Sequence, residues 1–180
     1  MRRLALIAVL VGAVVGGDAS LAASRPGGAG TPACLLGAWV ANQAETNRVM
    51  HALVPVEGMV AKGRLYMLFR DGAFQYGSRY IELTNTFGDV RMIARARFFS
   101  LAAYTARRGS FTTRSGESTI EYGKMTGMKD GKVYTVDGPP TRTTRIPGGT
   151  TPFQCRGSTL KVKLPRFASL DWITLQRGAP

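Results

Sequence analysis

Few residues in this chain carry the chemistry of catalysis. His51 is the only histidine, so a Ser–His–acid arrangement would have to be built on it, and no Gly-x-Ser-x-Gly elbow accompanies it. Cys34 and Cys155 with one histidine do not close a zinc site without added carboxylates. The sequence therefore points away from an enzyme and offers no catalytic residue, metal site or cofactor. Two other groups of side chains stand out. Arg91, Arg95 and Arg97 share one face of an alternating run, which reads either as an anion or surface-contact site or as the solvated side of a half-buried strand. Leu65, Met67, Phe69, Phe74 and Tyr76 form an apolar and aromatic set with one hydroxyl, a lining suited to an amphipathic small molecule.

These groups need strands to position them. Asp71-Gly72 is a strong two-residue hairpin turn, because both residues tolerate positive φ. The turn fixes the register: Arg70 faces Ala73, Phe69 faces Phe74, Met67 faces Tyr76 and Leu65 faces Ser78. All five candidate ligand residues then fall on one face, opposite Arg64, Arg70 and Gln75. Beyond Gly77 the apolar parity shifts to Ile81 and Leu83, which predicts a bulge nearby. Val90, Met92, Ala94, Ala96 and Phe98 alternate with the arginine face. Ser118, Ile120 and Tyr122 alternate next, and Asp130-Gly131 predicts a second hairpin leading into 132–136. Residues 137–152 hold prolines and glycines that exclude a central strand, so a long exposed loop carrying Arg142 and Arg145 is expected. Gln154 to Leu164 alternates again, and Trp172 to Arg177 reads as the last strand. One helix is expected over 42–53: Thr46, Val49, Met50 and Leu53 share a helical face, Asn42 and Glu45 resemble a capping box, and Pro55 follows.

The chain has 180 residues, 44% of them apolar, enough for one domain with its own core. Arg2 and Arg3, followed by an apolar run and small residues near Ala22, predict a signal peptide over 1–23. The run is too short for a comfortable membrane span of about 20 residues, so no transmembrane segment is expected after cleavage. A Gly/Pro-rich linker follows over 24–33, and the folded domain is 34–180. The expected location is secreted or extracytoplasmic. Two cysteines in an exported chain usually pair, so Cys34 and Cys155 should staple the first strand to the penultimate one. The formal charge of +13 suits contact with an anionic envelope surface. No aromatic-basic recognition motif is present, so nucleic acid is not an expected partner.

Gly37-Ala38-Trp39 on the first strand, an up-and-down meander and Arg177 on the last strand together resemble the lipocalin and wider calycin group. The layout of Cys34-x-x-Gly-x-Trp early, with the run from Phe153 to Leu160 before the final strands, is similar to small exported lipocalin-like proteins of bacteria. The resemblance covers 34–177 in layout. It implies an all-β fold: an antiparallel up-and-down barrel of about eight strands with a short N-terminal helix. It also implies that Gly37, Trp39 and Arg177 close the barrel, the arginine lying over the tryptophan ring. Avidin-like proteins share the Gly-x-Trp but line their pocket with several tryptophans, and only Trp39 and Trp172 exist here.

Two functions of different class follow. In the first, the barrel binds a small apolar or amphipathic ligand, anionic ones included. In the second, the interior is filled and the protein is an envelope-associated interaction or inhibitor module that works through its basic surface.

Overall fold

The computed structural model describes residues 31–53, 55–164 and 170–179. The expected signal peptide and positions 24–30 of the expected linker lie outside the described residues. The described chain is almost all antiparallel sheet with one helix: β1 Gly37–Val40, α1 Gln43–Leu53, β2 Val60–Arg70, β3 Ala73–Phe87, β4 Val90–Arg107, β5 Ser110–Thr113, β6 Gly116–Tyr122, β7 Met125–Lys129, β8 Lys132–Val136, β9 Arg142–Ile146, β10 Gly149–Arg156, β11 Thr159–Val162 and β12 Ile173–Arg177.

Eight strands form a closed ring in the order β1-β2-β3-β4-β5-β10-β11-β12, with β12 returning to β1. Strands β5, β6 and β7 follow one another along the 18-residue β4. Strands β8, β9 and β10 return along them to the ring. The chain is thus a meander in which the middle strands outrun the ring. Their distal parts continue as an open sheet, the wing.

The hairpin from β2 to β3 has the register that Asp71-Gly72 demands, with Leu65↔Ser78, Met67↔Tyr76, Phe69↔Phe74 and Arg70↔Ala73. The parity shift expected near Gly77 lies between Ser78 and Ile81, and a matching shift in β2 lies between Gly63 and Leu65. At Gly63, φ is +126° and a Cβ would lie 2.2 Å from the Tyr80 carbonyl oxygen, so only glycine allows the strands this approach. The fully buried core includes Leu65, Met67 and Phe69 with Phe111, Leu160 and Val162. Phe69 is the hub: its ring lies 5.0 Å from Phe74, 5.1 Å from Phe111 and 5.5 Å from Tyr104. Tilted and edge-on contacts at these distances are the favoured aromatic geometries.

Helix α1 covers the start of β2 and β12. The Asn42 Oδ1 accepts the Glu45 N–H at 2.8 Å, capping the helix, but the Glu45 carboxylate does not reach back as a capping box would. It accepts the Thr174 N–H at 2.7 Å and pairs with Arg48 instead. Thr46, Val49 and Met50 are buried, while Leu53 is exposed, because the helix ends before its last turn reaches the sheet. The helix also closes an edge of β2. The Asn47 Oδ1 accepts the Ala61 N–H at 2.8 Å, and the Gln43 amide donates to the Ala61 carbonyl and accepts the Gly63 N–H. Side-chain amides here take the place of a neighbouring strand.

Three expectations change. Residues 137–152 are not all loop: β9 pairs with β6 and β10 begins at Gly149. The prolines exclude a central strand, and β9 is an edge strand with no second neighbour among the described residues. Gln154 to Leu164 is two strands, split by a turn at Gly157, where φ is +58°. Cys34 and Cys155 do form a disulfide, with Cα atoms 6.1 Å apart. Cys155 lies on β10, however, so the bridge reaches past β12 and β11 rather than to the penultimate strand.

Closing a loop of 121 residues should stabilise the fold by about 4–5 kcal/mol in the chain-entropy description. Non-reducing mass spectrometry should show no free thiol, and Cys155→Ser should lower the urea midpoint accordingly. An unchanged midpoint, or two free thiols in protein folded under oxidising conditions, would contradict the staple.

Candidate functional site

The ring closes on Trp39. Its side chain is fully buried, and its indole N–H donates to the Leu35 carbonyl at 2.9 Å. The Arg177 guanidinium lies 4.5 Å from the Trp39 ring centroid and donates to the carbonyls of Leu36 and Cys34 at 3.2 and 3.1 Å. Gly37 makes room for it: with φ at +112°, a Cβ there would meet the guanidinium at 3.0 Å. A cation against an aromatic face adds about 0.5–2 kcal/mol. These three residues hold the ring shut.

The five candidate lining residues face inward but part company along the ring. Leu65, Met67 and Phe69 are at most 1% exposed, sealed inside the core. Phe74 is at its margin. Tyr76 stands where the ring opens into the wing. Its ring is half-buried and packs edge-on to Phe98 at 5.6 Å. Its hydroxyl oxygen is sealed from solvent and has no partner among the described residues. Desolvation pushes that hydroxyl above the ordinary tyrosine value of 10.0. An unmade hydrogen bond on a buried hydroxyl costs about 1–3 kcal/mol.

Past Tyr76 the inward face of the wing continues across neighbouring strands. Ser78 lies opposite Phe98, Phe98 opposite Ile120, and Ile120 opposite Arg142. Ser100 donates to Ser118 at 3.0 Å beside this row. Phe98, Ile120 and Tyr122 are half-buried, Arg142 is exposed, and farther out Tyr134 and Val136 are more than half exposed. A sheet face of this composition normally lies against another layer. Helix α1, the only helix among the described residues, packs on β2 and β12 instead. Ser78 at the start of this row is buried and Phe98 packs against the core, but no described element covers the outer part of the wing.

The arginine stripe lies on the opposite, outward face. Arg95 pairs with Glu82 at 3.1 Å and Arg97 with Glu121 at 2.8 Å. Each carboxylate hydrogen bond holds its guanidinium above the ordinary arginine value. Arg91 lies farther out, opposite Met128. The three therefore do not converge on one anion: two are engaged in exposed cross-strand ion pairs, which stabilise by about 0–1 kcal/mol. A wide open recess of about 750 Å³ is bordered by Phe74, Leu101, Ala102, Gly116, Glu117 and Thr143, so of the five candidate lining residues only Phe74 borders it. His51 is half-buried on α1, and among the described residues no three His, Cys, Asp or Glu side chains converge to hold a metal.

Phe98 and Ile120 were legible as members of alternating runs, whereas Arg142 was expected on an exposed loop; their alignment in one row depends on β6 and β9 pairing beyond the ring. No known protein-family model, curated protein or solved structure matches this chain.

The Tyr76 hydroxyl generates a prediction with a definite sign. The unfolded chain ionises Tyr76 above pH 10.0, whereas the folded protein holds it neutral to higher pH. This contribution to stability is therefore complete below that value and is lost as pH rises above it. Tyr76→Phe should keep or raise the melting temperature at neutral pH, since no hydrogen bond is lost, and should reduce the alkaline fall in urea midpoint. A loss of about 1 kcal/mol or more at neutral pH would mean that the hydroxyl has a partner.

Proposed function

We propose that this chain is an exported, lipocalin-like binding protein for a small apolar or amphipathic molecule, and that the molecule lies on the open inner face of the wing. The lipocalin-like reading is supported by the meander order, the closed ring of eight strands and Arg177 over Trp39. Export is supported by the leader-like sequence of residues 1–23 and by the disulfide.

The observation that carries the reading is a half-buried apolar face, Phe98, Ile120 and Tyr122, with no covering layer among the described residues. Ligand sites are mostly apolar surfaces with a few polar groups that fix orientation. Here Phe98, Ile120 and Tyr122 supply the apolar surface. Arg142 supplies a cation across the strands. A fatty-acid-like molecule fits this pattern, its chain on the aromatic row and its carboxylate on Arg142. Burying the apolar body is favourable by about 25 cal/mol per Å².

The formal charge of +13 favours a second reading, in which the basic outer surface docks on an anionic envelope surface and nothing is carried. Such docking weakens steeply with salt, whereas binding of an apolar ligand does not.

Titration with a fluorescent fatty-acid analogue separates the two. Saturable binding should appear, and Phe98→Ala and Arg142→Gln should each weaken it by about five- to tenfold, roughly 1–1.4 kcal/mol. Both positions are outside the sealed core, so the fold should persist, as circular dichroism would verify. No saturable binding at tens of micromolar, together with salt-sensitive sedimentation on anionic vesicles, would leave the surface-docking reading.

A further inference from the structure

The outward face of β2 and β3 carries a second, unrelated feature. The irregularity after Gly63 in β2 lies against the bulge after Ser78 in β3. Bulges re-aim side chains and break the alternation of a strand. Here Arg79 and Tyr80 are both exposed, and Arg64 projects beside them. Together with Tyr66 and Ala179 they line a recess of about 260 Å³. Unlike Arg95 and Arg97, the Arg64 and Arg79 guanidiniums have no ion-pair or hydrogen-bond partner among the described residues.

The surroundings reinforce the positive charge. Arg95 lies 5.7 Å from the Tyr80 ring centroid while holding Glu82. Arg97, on the same outward face, holds Glu121. The two guanidiniums that line the recess itself, Arg64 and Arg79, have no carboxylate beside them in its lining. The Tyr66 hydroxyl accepts the Gln75 amide at 2.6 Å, and its own proton has no described acceptor. Two like charges held at one recess repel each other, and a divalent anion reverses that repulsion.

We propose that this cleft binds the phosphate group of a small phosphomonoester. Two planar guanidiniums offer paired N–H donors that match phosphate oxygens. The Tyr66 hydroxyl donates a further hydrogen bond, and the exposed Tyr80 ring offers a face to the organic part of the ester. The site is independent of the wing's inner face: it lies on the other side of the sheet and uses none of the same side chains. The phosphate can arrive on a soluble ester or on a phosphatidate headgroup, since both present the same dianion.

The test is calorimetric titration of the full chain with inorganic phosphate and with phenyl phosphate at low and physiological salt. Phenyl phosphate should bind saturably and more tightly than inorganic phosphate. Arg64→Gln and Arg79→Gln should each weaken it by about tenfold. Arg91→Gln, which removes the same charge from the same outer face away from the recess, should change it less than about twofold. Tyr76→Phe should leave phosphate binding unchanged, so failure here is separable from failure of the ligand reading above. Sedimentation with phosphatidate-containing vesicles, dependent on Arg64, would assign the headgroup as the source. Binding of phenyl phosphate without sedimentation would assign a soluble ester. Equal losses in all three arginine variants, or no saturable binding at low salt, would overturn the proposal.

Discussion

The fold depends on the four residues of β1. Among the described residues Gly37–Val40 is the only connection between β2 and β12, and it turns a meander into a ring. A strand that short supplies few ladder hydrogen bonds, and each side of it is reinforced by other means. Trp39 fills the interior below it. Arg177 crosses from β12 to lie on the Trp39 ring and to satisfy the carbonyls of Leu36 and Cys34, and the disulfide ties Cys34 to β10. Gly37 is needed because any side chain there would displace the guanidinium. Closure, aromatic packing and covalent stapling thus converge on one short segment.

Closure determines what remains for function. A ring whose interior holds Trp39, Phe69 and Phe111 has its apolar side chains packed on one another. The strands β3 and β4, at 15 and 18 residues, are far longer than β1 and β12, and the excess becomes the wing. The two faces of that wing differ in chemistry because alternation continues beyond the ring. The inward face keeps the apolar residues that inside the ring would be core. The outward face carries arginines, some matched by cross-strand glutamates and two left over where bulges break the register. Both candidate sites are consequences of strands that outrun the closed part of the sheet.

Much of this was legible in the sequence where local chemistry decides geometry. Asp71-Gly72 set the register of six core positions, Asn42 marked the helix start, and the parity change after Gly77 announced the bulge. The pairing of Cys34 with Cys155 followed from their number. Legibility ended where pairing is non-local. The residues Arg142–Ile146 look like loop because prolines and glycines flank them, yet an edge strand tolerates such neighbours. Glu82 and Glu121 neutralise Arg95 and Arg97 from other strands, so the arginine stripe looked freer than it is. Arg64 read only as part of the outer face of the hairpin and Arg79 did not stand out, because only two facing bulges bring them to one recess. Which of the apolar inward residues are sealed and which are open also depended on where the ring ends, a length relation that no single segment encodes.

The central claim is spatial: a ligand meets the open row beyond Tyr76, and the ring interior stays closed to it. The most direct measurement is residue-resolved NMR of the full chain during titration with a short-chain fatty acid. Shift changes confined to Tyr76, Phe98, Ile120, Tyr122 and Arg142, with Trp39, Met67 and Phe69 unmoved, are the expected result. Perturbation of Trp39, Met67 and Phe69 would place the ligand inside the ring and contradict the account.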